Sequence, residues 1–106
     1  MAKGDFAFLQ QRFTAGLQRR VGEMNRCLDT LTSSAIDAPT AENLQRLFHS
    51  LAGIGGTFGF HEITDLAKEG EHACWQVVED ERPLDASELT QLRGLVHSIA
   101  AFGQAA

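Results

Sequence analysis

From Asp5 to about Leu31 the apolar positions fall at Phe6, Leu9, Phe13, Leu17, Val21, Met24, Leu28 and Leu31. Steps of three and four put them on one stripe of an amphipathic helix. The stretch TSSAIDAP that follows has the small and polar residues of a connection, closed by Pro39. Thr40 is then the expected N-cap of a second helix, its hydroxyl accepting from a free backbone N–H. That helix turns Leu44, Leu47, Phe48, Leu51 and Ile54 inward and should fray near Gly59. A third helix, from about His61 to Glu79, sets Ile63, Leu66, Ala67, Gly70, Cys74, Val77 and Val78 on one face, and the turn ERP ends it. Asp85 and Glu88 form a D-x-x-E variant of the capping box, with Leu84 and Leu89 placed as a hydrophobic staple. Leu92, Leu95, Val96, Ile99 and Phe102 continue the inward face of a fourth helix. No strand pattern competes.

Four amphipathic helices with short connections predict an all-α fold, an antiparallel four-helix bundle whose core runs from end to end. The 106 residues fit one domain spanning 1–106. With 43% hydrophobic and 22% charged residues, the chain has the composition of a folded protein rather than a disordered tail.

The formal charge of -5 sets the chain as a whole against phosphate backbones and anionic headgroups, so neither nucleic acid nor a membrane surface is an expected partner. No apolar run approaches the roughly 20 residues needed to span a bilayer, and the N-terminus lacks the apolar segment of a secretory signal. The expectation is a cytoplasmic monomer. Cys27 and Cys74 form no CxxC pair and each fits an apolar helix position, which predicts buried free thiols.

Candidate chemistry begins at HSLAGIGGTFGF, residues 49–60, where four glycines stand behind a histidine. On a wheel of about 100° per residue, the apolar residues of the second helix centre roughly 160° away from His49, so His49 faces solvent. Gly53 and Gly56 flank the same outward direction, with Gln45, Arg46 and Ala52 at its border. An interior glycine costs roughly 1 kcal/mol of helix stability relative to alanine, and core packing asks for none on a solvent face. A bare surface around an exposed imidazole lets another macromolecule approach the ring, whereas Gly55 points inward and could permit close helix packing.

These residues resemble the signature of histidine-containing phosphotransfer (HPt) domains, in which a histidine is followed by x-Leu-Lys-Gly and, six residues on, by a second glycine. His49, Leu51, Gly53 and Gly59 match it, with Gly56 and Phe58 at commonly occupied positions, and the GTFGF ending looks like the HPt modules of chemotaxis-type kinases. Helix order and length agree along nearly the whole chain. The resemblance implies a phosphoryl carrier rather than an enzyme. Its histidine would take a phosphoryl group from the aspartyl phosphate of a receiver domain, or from a kinase, and hand it to a response-regulator receiver aspartate. No cofactor is implied on the carrier, the magnesium ion of such transfers belonging to the receiver. In keeping with this, the chain has neither GxxxxGK[ST] nor a kinase-type glycine loop.

Attack on phosphorus needs a neutral imidazole with a free lone pair, and histidine is the side chain whose ordinary pKa lies nearest physiological pH. If Nε2 attacks, Nδ1 must hold the proton, and an acceptor there would fix the tautomer. Glu71, at the flank of the third helix's stripe, matches the place where the family often carries a glutamate or glutamine beside the histidine; otherwise it is a solvated carboxylate. One departure stands out: Ala52 replaces the family's usual lysine. Arg46 and Lys68 are the candidate replacement cations, or else ordinary surface charges. Gly53, Gly56, Gln45 and Ala52 make up the expected docking surface.

His61 and His72 read as solvated, and His97 gives no signal. Trp75 is either part of the core or an aromatic contact for a partner. Glu69 and His72 form one E-x-x-H pair, but a di-iron bundle needs two such pairs facing inward. Because of Ala52, an adaptor that docks receivers or a kinase without carrying phosphate is the alternative to the carrier. The Met start fits a complete small carrier; a domain of a larger regulator would look the same.

Overall fold

The computed structural model describes residues 3–105, with side chains over 6–102. The stripes close on one another as four helices: α1 (Lys3–Thr30), α2 (Ala38–Thr57), α3 (His61–Glu79) and α4 (Ala86–Ala105). Each packs on its two neighbours around a ring, α1 on α2 and α4, and α3 on α2 and α4. This is an antiparallel four-helix bundle, and no strand occurs among the described residues. Leu17, Met24, Leu44, Phe48, Leu51, Ile63, Leu92 and Ile99 fill its core, with no polar or charged residue buried among those described.

The predicted stripe of α1 is buried from Phe13 to Leu31, but Phe6 remains 41% exposed. At 28 residues α1 outruns α2, α3 and α4, so its first turns have little of the bundle to pack against. Phe6 instead lies 6.5 Å from Phe58, while Phe13 stands 5.8 Å from Phe58 and stacks on Phe60 at 5.2 Å. Gln10 Nε2 donates to the Phe58 carbonyl at 2.9 Å. The α2–α3 turn is therefore held under α1 by aromatic packing and one long-range hydrogen bond.

Helix ends explain several residues. The cap of α2 is Asp37, not Thr40: the Asp37 carboxylate accepts from the Thr40 N–H at 3.2 Å. Pro39 lies inside the first turn, where a missing N–H costs nothing, so the helix starts earlier than Thr40. At the other end α2 stops rather than frays. Gly59 adopts φ +81°, with its N–H on the Gly56 carbonyl and the Phe60 N–H on the Gly55 carbonyl, a Schellman closure that needs a left-handed residue. The ERP turn closes α3 in the same way, with Glu81 at φ +50° and the Arg82 N–H on the Val77 carbonyl. The capping box of α4 forms reciprocally: the Glu88 N–H donates to Asp85 at 2.7 Å and the Asp85 N–H to Glu88 at 2.9 Å. Leu84 is buried and Leu89 packs against the same core.

Cys27 and Cys74 are buried free thiols. Burial pushes the Cys74 thiol up to about 12 and also raises that of Cys27, so neither is a ready nucleophile.

α2 and α3 approach each other through glycines. A Cβ on Gly70 would stand 2.5 Å from the Phe48 ring, and one on Gly55 would stand 2.9 Å from Thr64 Oγ1. Ala52 and Ala67 are buried beside them. Thr64 Oγ1 donates to the Ala52 carbonyl across the seam at 2.9 Å. Gly70→Ala should accordingly destabilise the bundle by about 1–3 kcal/mol, read as a lower urea midpoint, because the Phe48 ring is enclosed and must shift.

Arg82 grips Glu88 in a fork, with Nη1 and Nη2 donating at 2.7 and 2.9 Å. That fork, helped by the Asp85 N–H and opposed by partial burial, holds the Glu88 carboxyl below the ordinary carboxylate range. A group whose pKa is lower in the folded chain stabilises the fold above its unfolded pKa, about 4.3, and loses that contribution as pH falls through the folded value. The stability difference between wild type and Glu88→Gln should therefore be largest near pH 7 and shrink below about pH 4 in urea titrations.

Candidate functional site

His49 stands on the outward face of α2 with its side chain 76% exposed, as the wheel predicts. Glu71 reaches it from α3: Nδ1 and Oε2 are 2.6 Å apart, and the Glu71 side chain is only 28% exposed. A carboxylate can only accept, so in the neutral tautomer that fits this contact the ring proton sits on Nδ1 and the lone pair is at Nε2. Nε2 has no protein partner among the described residues. One nitrogen is thus tied down and the other is offered to solvent, the arrangement a nucleophilic imidazole requires.

The register that produces this pair is set below it. Phe48 and Gly70 interlock in the core, and the next residue on each helix is His49 and Glu71. An offset of one residue turns each side chain by about 100°, which carries both from the seam to its solvent edge.

His49 lies in an open depression of ≈ 390 Å³ lined by Ala52, Gly53, Gly56, Thr64, Lys68 and Glu71. A Cβ on Gly53 would meet nothing within 4 Å, and one on Gly56 only Thr64 Oγ1 at 3.6 Å. Neither glycine is required by packing, in contrast to Gly55 and Gly70, so the bareness beside the ring has no structural cause.

His49, Glu71, Gly53, Gly56, Ala52 and Lys68 thus line one depression, with two corrections to the sequence reading. Ala52 is not on the outward border but 7% exposed, because α3 covers it, although it still contributes to the floor of the depression. Arg46 points away: it is 75% exposed and lies 4.0 Å from Glu42 one turn back on its own helix. Gln45 lines a neighbouring hollow with Lys68, Glu71, His72 and Trp75. Sequence reasoning missed Thr64, whose hydroxyl both joins the helices and lines the site. Its signal, one threonine at the border of the α3 stripe, does not differ from that of a solvated residue. Trp75 is 47% exposed, which decides against a core role. His61, His72 and His97 are exposed. Among the described residues no three His, Cys, Asp or Glu side chains are grouped as a metal site would need.

The family model described as Hpt domain matches residues 13–102. The chain belongs to the Hpt domain family. No curated protein and no solved structure matches it. Hpt domains are phosphocarriers that serve histidine phosphotransfer in phosphorelays, where they meet receiver-type partners. In this Hpt domain no described helix is long and apolar enough to cross a membrane.

The open space at Gly53 yields a stability test with a sign opposite to that at Gly70. Gly53→Ala should raise the urea-derived stability of this Hpt domain by roughly 0.5–1 kcal/mol, the helix-propensity difference, with nothing displaced.

Proposed function

We propose that His49 is the phosphoryl acceptor and donor of a phosphorelay carrier, loaded by the aspartyl phosphate of a receiver domain and discharged onto the aspartate of another receiver. The observation that carries this reading is the 2.6 Å contact from Nδ1 to Glu71 beneath a ring exposed at Nε2. In the forward step the Nε2 lone pair forms the N–P bond as the P–O bond to the donor aspartate breaks, and that aspartate leaves as a carboxylate. No proton needs to move, because Nδ1 keeps its hydrogen. The ring becomes a phosphorylated imidazolium, and the Glu71 carboxylate stabilises its positive charge. Discharge is the same step reversed on a second aspartate.

Lys68 is the cation that lines the depression beside His49, so it takes over the work of the lysine that Ala52 replaces. Arg46, drawn back toward Glu42, does not share that role. The magnesium ion that offsets phosphoryl charge in such transfers would belong to the receiver. Gly53 and Gly56 leave room for the receiver's loops over the ring.

Ala52 favours a second reading, a docking adaptor that carries no phosphate, since a buried methyl group cannot attract a phosphoryl group. Transfer from a panel of phosphorylated receivers separates the two readings. The carrier reading expects acid-labile, base-stable label on the wild type and none on His49→Gln. It also expects transfer slowed about 10–100-fold in Glu71→Ala, and slowed in Lys68→Ala but not in Arg46→Ala. Absence of label on the wild type alongside measurable receiver binding would establish the adaptor. Gly53→Arg should block docking under both readings.

A further inference from the structure

We propose that Trp75 is the apolar anchor with which this domain holds a receiver, an inference that rests on the receiver-facing reading of the His49 site. Trp75 lies four residues beyond Glu71 on α3, one turn on and on the same face, about 6 Å along the axis. It is 47% exposed. It shares a hollow of ≈ 190 Å³ with Gln45, Lys68, Glu71 and His72, and Lys68 and Glu71 also line the depression that contains His49. The two hollows therefore form one strip that runs from the imidazole to the indole.

A receiver presents an acceptor aspartate, and a chain of net charge -5 offers it no long-range attraction. Attraction has to come from the strip itself. Within it Lys68 is offset by Glu71, so what the strip adds is the apolar surface of Trp75, which gains most when water is excluded from it. Among the described residues the remaining large exposed apolar side chains, Phe6, Phe8 and Ile36, line neither hollow. The partner that fits is a receiver whose aspartate pocket is bordered, about one helical turn away, by an apolar patch able to cover an indole.

Because Trp75 is the sole tryptophan, the wild-type protein reports the contact directly. Titration with a tryptophan-free receiver should shift the emission to shorter wavelength and saturate. Trp75→Ala should raise the KM for the phosphorylated receiver about tenfold or more, leave kcat unchanged, and leave labelling by the small donor phosphoramidate unchanged, while Trp75→Phe recovers part of the loss. Unshifted emission in a receiver complex detected by calorimetry would overturn the anchor, as would an unaltered KM. So would a shift on concentrating the protein alone, which would mean that a second copy covers the indole. Failure of the carrier reading looks different: His49 takes no label from either donor, while the emission shift persists and the anchor stands.

Discussion

The site depends on how closely α2 can lie against α3. Phe48 is a fully buried aromatic with no room to retreat, and the residue facing it across the seam is Gly70, whose missing side chain is the space the ring occupies. Gly55, Ala52 and Ala67 keep the rest of the seam narrow, and the Thr64 hydroxyl of α3 donates across it to the α2 backbone at Ala52. Helices that carried ordinary side chains here would stand further apart, and packed interiors do not absorb an added methyl group without shifting. Since His49 and Glu71 each follow a member of the Phe48–Gly70 pair, the core contact fixes the separation and the register of the surface pair. A 2.6 Å hydrogen bond between two exposed helix faces is a consequence of what is buried one residue earlier.

Glycine serves three separate ends within this short region. At Gly70 and Gly55 its absence of side chain is filled by a neighbour. At Gly59 its left-handed φ of +81° closes α2 and starts the turn that Phe13 and Gln10 hold in place. At Gly53 and Gly56 it is neither filled nor strained, and helix stability is given up with no structural return. A cost that the fold does not recover is expected where a surface has been kept open for something outside the molecule. That open surface lies beside the exposed nitrogen of His49 and continues through Lys68 toward Trp75.

Much of this was legible in the sequence because helix periodicity is a strong signal: the four stripes, the outward placement of His49 and the Asp85–Glu88 box all follow from spacing alone. Glu71 could be named, but only the packing of α2 on α3 shows its carboxylate reaching Nδ1. What spacing hid has physical causes. Thr40 looked like the cap because a hydroxyl before an apolar run suits that position, but Asp37 lies three residues earlier, the reach a capping carboxylate needs. Ala52 lies at the edge of its helix wheel, and whether such an edge is wet depends on the neighbouring helix, here brought close by glycines. Phe6 continued its stripe with perfect phase into a stretch where the partner helices had ended. Arg46 and Lys68 were equivalent as sequence, and only the geometry separates them, one paired along its own helix and the other lining the site.

The central claim is that Glu71 holds the Nδ1 proton of His49 and so reserves Nε2 for phosphorus. Long-range proton–nitrogen correlation spectra of the uniformly nitrogen-15-labelled domain, recorded with the ring neutral and again after loading with phosphoramidate, test it most directly. The account predicts that the His49 proton resides on Nδ1, that this preference weakens in Glu71→Ala, and that phosphorus couples to Nε2 in the loaded domain. A His49 proton found on Nε2, or phosphorus attached to Nδ1, would contradict it.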